Sequence, residues 1–119
     1  MIEYLSLQKI NALHEQEIVE AVEKVVRSGW YLHGQATERF EHHYADFIGT
    51  THCIGCGNGL DALTLIFRAY KELGVLSNGD EILVPANTFV ASILSITENG
   101  LRPILVEPDY DTLEIDEKL

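Results

Sequence analysis

The stretch "CIGCGNGLDALTLI", residues 53–66, decides how the chain folds. Three glycines alternate along it, at Gly55, Gly57 and Gly59, and an apolar helical pattern follows. A glycine-rich turn that opens onto a helix is suited to hold phosphate. The first N–H groups of a helix have no intrahelical partners, and the helix dipole is positive at that end. Phosphate sites of this kind usually keep a lysine or a hydroxyl at the turn, and this one has neither.

Outward from the glycines, the pattern alternates. "HCIGC" (52–56) reads as a short buried strand. "LDALTLIFRAYKELG" (60–74) is apolar on nearly all faces, which predicts a heavily covered helix. Asn78-Gly79-Asp80 marks a turn, and "EILVP" (81–85) a second buried strand. Asn87 or Thr88 is placed to cap a helix from about 89 to 98, stopped by Asn99-Gly100. "RPILVE" (102–107) is a third strand, with Pro103 tolerated near its start. The order β-α-β-α-β predicts a parallel sheet, and ligands of such sheets bind at the carboxyl ends of the strands. Those ends are 57–61, 85–89 and 108–110, all along one edge. Upstream, Ile18, Ala21, Val22, Val25 and Val26 predict an amphipathic helix over 14–27, and Phe40, Tyr44, Phe47 and Ile48 another over 37–48. Between them "GWYLHG" (29–34) reads as a loop carrying Trp30 and Tyr31.

A chain of 119 residues suits one domain that buries roughly two-thirds of its unfolded surface. The formal charge of -11 repels a phosphodiester backbone, so nucleic acid is not an expected partner. The acids gather late, at Glu107, Asp109, Asp111, Glu114, Asp116 and Glu117, and read as a solvated tail. Their spacing lacks the calcium-loop glycine and final glutamate. The start "MIEYLSLQKI" lacks the pattern of a signal peptide, and no apolar run approaches membrane-spanning length, so a cytoplasmic location and no membrane partner are expected. Cys53 and Cys56 form a single C-x-x-C without a second pair, which reads as structural thiols rather than a redox or metal site. No metal is expected.

Two common phosphate motifs are excluded. The third glycine of G-x-G-x-x-G would fall on Leu60, and no Gly-Lys-Ser/Thr occurs. The backbone remains. N–H groups of Gly59, Leu60 and Asp61 are placed to hold a phosphate without a cation, or else they form a plain strand-to-helix turn. Phe89, on the same edge, is either a platform for a flat ligand or a buried aromatic at a helix start.

At this point whole motifs match a family. "GNGLDALTLIFRAY", "GDEILVPANTFVAS" and "NGLRPILVEPDYDTLEID" resemble the opening third of the DegT/StrS sugar-nucleotide aminotransferases. "SGWYLHG" and "FEHHYADFIGTTHCIG" resemble that family's N-terminal helices and first loop. The resemblance implies an α/β fold, the beginning of the large domain of the pyridoxal-phosphate enzymes of the aspartate aminotransferase type: a parallel βαβαβ core over 52–107 preceded by two helices. It implies pyridoxal 5'-phosphate held by the backbone around Gly59, Leu60 and Asp61, with Phe89 stacked on its ring. It places Trp30 and Tyr31 in a loop on the substrate side. Many relatives carry Thr or Ser where this chain has Leu60, so the backbone must do more here. The form "GNGLDAL" resembles the branch that aminates a 3-keto-6-deoxyhexose on dTDP.

The implied reaction moves an amino group from an amino acid, glutamate, to a keto-sugar nucleotide in deoxyamino-sugar biosynthesis for cell-surface polysaccharide. A homodimer is implied too. That chemistry needs a lysine that binds the cofactor covalently and an acid facing its ring nitrogen. Lys9, Lys24, Lys71 and Lys118 do not lie in the family's lysine motif. Residues 1–119 are therefore expected to be the N-terminal portion of the large domain, with C-terminal parts absent, no catalytic residue of its own and no activity alone. The alternatives are a non-catalytic remnant, or a small phosphate- or nucleotide-binding α/β module of flavodoxin-like form.

Overall fold

The computed structural model describes residues 4–116. The chain divides into two units, one ending at Gly55 and the other beginning at Cys56. Each unit is described by itself.

The first unit is helical. A short helix that the periodicity did not reveal, α1 (Leu7–Asn11), starts at Ser6, whose hydroxyl accepts from the Lys9 N–H at 3.4 Å. It makes three helices among the described residues of this unit rather than two. The helix expected over 14–27 is α2 (Glu15–Ser28), and that over 37–48 is α3 (Gln35–Ile48). Both stop at a glycine in the left-handed region, Gly29 at φ 66 and Gly49 at φ 80, where a side chain would strain the backbone. Local contacts support them: Arg27 to Glu23 at 2.5 Å, and Phe40 stacked on Tyr44 with ring centroids 5.6 Å apart. Among the described residues here, Ala45 is the one buried apolar side chain.

Residues 52–56 form no strand, which corrects the expected βαβαβ order. A strand exists only through a hydrogen-bonded neighbour, and no described segment pairs with this one. The Gly55 N–H instead donates to the Glu41 carboxylate at 2.7 Å.

The second unit holds α4 (Gly59–Glu72), β1 (Glu81–Pro85), α5 (Val90–Glu98) and β2 (Arg102–Val106). The two strands pair in parallel, Leu83 against Ile104 and Val84 against Leu105. At the start of this register, Arg102 donates to Glu81, an opposite-charge pair directly across the strands. Val84, Ile96 and Leu101 make the core, with Phe67, Leu76, Ile82 and Ile93 packed on it. Inside it Asn99 is buried, and its amide donates to Ser95 O at 2.8 Å and Thr64 O at 3.1 Å, which ties α5 to α4. The expected heavy covering of the helix is corrected: Leu65, Ile66 and Leu73 are exposed, and α5 is the element packed against α4.

The acids Glu107, Asp111 and Glu114 are exposed, as a solvated segment would be, but up to Asp116 the segment is folded rather than a free tail. Asp109 folds it into a turn: its carboxylate accepts from the N–H groups of Asp111 at 3.0 Å and Thr112 at 2.9 Å. An antiparallel bridge between Pro108 and Ile115 closes the turn. Glu117 and Lys118 lie outside the described residues.

Candidate functional site

The first turn of α4 is organised by a residue that the sequence reading passed over. Asn58 is its N-cap. The side-chain oxygen accepts from the Asp61 N–H at 3.0 Å, and the amide donates to Asp61 Oδ2 at 2.9 Å. The pair is a reciprocal capping arrangement, one donor of the helix end satisfied by the cap and the N3 acid held by it. Asn58-x-x-Asp61 was the available signal.

This narrows the expected cradle. In this conformation the Asp61 N–H is taken by Asn58, and the N–H groups of Gly59 and Leu60 remain without a hydrogen bond among the described residues. The Asp61 carboxylate is turned back along the loop. A Cβ built on Gly57 would lie 3.0 Å from its Oδ2, so the glycine there leaves room for the acid. Around Gly59 a Cβ would meet nothing within 4 Å, which leaves the first helical N–H open to an approaching anion.

Gly59 and Leu60 share a cavity of about 670 Å³ with Phe89. Asn58, Leu63, Val90 and Leu94 complete most of its wall, so the lining is chiefly apolar with helix-end amides at one place. Phe89 is the N-cap residue of α5 and is 79% exposed, its ring available rather than packed. Neither Asn87 nor Thr88 caps α5 as expected. Thr88 shares a hydrogen bond of 2.8 Å with the Ser92 hydroxyl, and the Asn87 amide donates to Leu113 O at 3.1 Å. The structure thus brings Gly59, Leu60 and Phe89 together, with Asp61 just behind them in the cap.

Trp30 and Tyr31 belong to the other unit. Their polar atoms find partners nearby in the chain: Trp30 Nε1 donates to Leu32 O in the same loop at 2.8 Å, and the Tyr31 hydroxyl to Val26 O at the end of α2 at 3.3 Å. The Trp30 ring also packs over Gly34, where a Cβ would lie 3.1 Å from it.

No described lysine lines the cavity. Lys71, on α4, donates to Asn78 Oδ1 and to Asn99 O, both at 2.6 Å, and so caps the carbonyl end of α5. Lys24 faces a depression formed with Trp30 and Arg39 in the first unit. Cys53 and Cys56 are free thiols, and among the described residues no three His, Cys, Asp or Glu side chains gather as a metal site would need. No helix among them is long and apolar enough to cross a membrane.

Known proteins resemble the chain in sequence and in structure. The sequence pattern of the DegT/DnrJ/EryC1/StrS aminotransferase family matches residues 12–119. A dTDP-3-amino-3,6-dideoxy-alpha-D-galactopyranose transaminase of Aneurinibacillus thermoaerophilus is 50% identical over 116 residues, which are 98% of this chain and 31% of that protein. S. venezuelae DesV superposes with a TM-score of 0.84 at 36% identity, over 97% of this chain and 30% of its own. The E. coli GDP-4-keto-6-deoxy-D-mannose-3-dehydratase with bound hydrated PLP superposes with a TM-score of 0.76 at 28% identity, over 82% of this chain and 26% of its own. The chain spans about a third of the length of the curated relative it matches at 50% identity.

Proposed function

This chain belongs to the DegT/DnrJ/EryC1/StrS aminotransferase family, and on that premise we propose that it forms the phosphate-and-ring side of a pyridoxal-phosphate site in a sugar-nucleotide aminotransferase. The reading rests on one observation: Gly59, Leu60 and Phe89 line the same cavity. The residues fit the cofactor. Two unpaired N–H groups at the positive end of α4 suit a phosphate dianion, and an exposed aromatic ring across an apolar wall suits a flat heterocycle. Asn58 keeps the Asp61 carboxylate drawn back, which lowers its repulsion of the phosphate.

When bound, pyridoxal phosphate supplies the electron sink that lets an amino group move between an amino acid and a ketone. The residues of this chain bind and orient. The Gly59 and Leu60 N–H groups would hold the phosphate end and Phe89 would orient the ring, with Leu63 and Leu94 forming apolar wall beside them. The lysine and the acid that handle protons are supplied from outside the described residues.

In the whole enzyme the substrates are a keto-sugar nucleotide and an amino-acid donor, glutamate. The 50% identity to a dTDP-sugar transaminase, against 28% to the dehydratase, favours amination over dehydration. A cytoplasmic homodimer, with Trp30 and Tyr31 on the substrate side, completes the proposal.

Titration of the chain with pyridoxal phosphate and, in parallel, with pyridoxal tests it. The phosphorylated form should bind at least about tenfold more tightly, and Phe89→Ala should weaken it about threefold to tenfold. Borohydride should fix no single lysine. Equal affinity for the two forms would sink the reading.

A further inference from the structure

The loop from Pro85 to Phe89 is held at several points, and one hold comes from a distant segment. Ala86 N–H donates to Val106 O at 2.8 Å, which continues the strand pairing. Thr88 N–H donates to Pro85 O at 3.2 Å. Between these, the Asn87 side chain crosses 26 residues of sequence to donate to Leu113 O at 3.1 Å. Leu113 lies in the turn built by Asp109. Among the described residues it is one of two non-glycine residues at positive φ, with φ 60. A leucine in the left-handed region is strained, and such strain persists only where the surroundings fix it. Inside the turn, Leu113 N–H donates to Asp109 O at 2.9 Å and Asp109 N–H to Glu114 O at 2.8 Å. The turn's contact with the Phe89 loop runs through the carbonyl of this strained residue.

We propose that Asn87 is a positioning residue: its amide fastens the Asp109 turn to the loop that presents Phe89, so that the turn sets the orientation of the ring. Asn87 itself touches no reacting atom. The inference rests on the reading above in taking Phe89 as the cofactor's ring platform. It adds that a polar side chain two residues away, together with a turn of acidic sequence, decides how that platform stands. Asn87 lies two residues ahead of Phe89, the N-cap residue of α5, and its amide donates to Leu113 O instead.

Amide hydrogen exchange and the ring resonances of Phe89, recorded on the full 119-residue chain without cofactor, test the coupling. Asn87→Ala should speed exchange at Asp109 and Leu113 about fivefold, the size of one net hydrogen bond. It should also shift the Phe89 ring signals while the α4 amides keep their protection. Asn87→Asp keeps the volume but faces the carbonyl with an acceptor, and should act in the same direction. Exchange within about twofold of the wild type, or a loosened turn with unmoved Phe89 signals, would overturn the proposal. Pyridoxal phosphate binding is read separately. A wild-type chain that fails to prefer the phosphorylated form removes the functional reading, while the exchange data still decide the coupling.

Discussion

In residues 4–55, α2 and α3 each carry an apolar stripe, yet Ile18, Val22, Val26, Phe40, Tyr44 and Phe47 are all exposed. In residues 56–116, Val84, Ile96 and Leu101 are removed from water and gather four more side chains around them. Both units have regular helices. The first holds its helices by caps and neighbouring side chains, and the second by a shared interior. A cavity whose walls come from two different helices needs the second kind of support, because each wall must be fixed relative to the other. The cavity with Gly59, Leu60 and Phe89 lies in the unit that has it.

The comparison can be broken by substitution. Ile96→Ala, at a side chain only 1% exposed, should cost about 2–5 kcal/mol in denaturant unfolding followed through the second unit. Asn99→Ala should cost about 1–3 kcal/mol in the same measurement, since two backbone carbonyls lose their donor. Asn58→Ala removes the cap of α4 and should cost about 1 kcal/mol, seen as faster exchange in the first turn of that helix. Phe47→Ala, on the exposed face of α3, should stay within about 0.5 kcal/mol. If Phe47→Ala destabilised as much as Ile96→Ala, the contrast between the units would be false.

A pH series sharpens the second unit further. Backbone N–H groups, that of Thr112 foremost and then that of Asp111, hold the Asp109 carboxyl below its ordinary value of 3.8. Its folded value is lower than its unfolded one, so the turn is supported fully above the unfolded value. That support is lost as pH falls through the lowered one. Carboxyl carbon NMR should place the Asp109 midpoint below 3.8; a midpoint at or above it would mean that the turn does not hold the carboxylate.

What could be read from sequence was what is encoded locally. The helical spacing of Ile18, Val22 and Val25 and of Phe40, Tyr44 and Phe47 carries α2 and α3, and the apolar runs at 81–85 and 102–106 carry the two strands. That 52–56 forms no strand was not legible, because pairing depends on a neighbour and the residues themselves say only that one would be welcome. Part of the site showed in the same way. The glycines and Phe89 were visible as residue types, whereas the Asn58 to Asp61 cap depends on two side-chain rotamers that residue types do not specify. The Asp109 turn was hidden for a different reason: a cluster of acids looks hydrated unless one of them is seen to accept from the backbone behind it.

The placement of Lys71 has a consequence for chemical selectivity. Pyridoxal phosphate is an aldehyde, and any lysine with an available lone pair can capture it away from the intended place. Lys71 must release both Asn78 and the carbonyl of Asn99 before its nitrogen can attack. The cap that holds α5 therefore also withholds this amine from aldehydes in general.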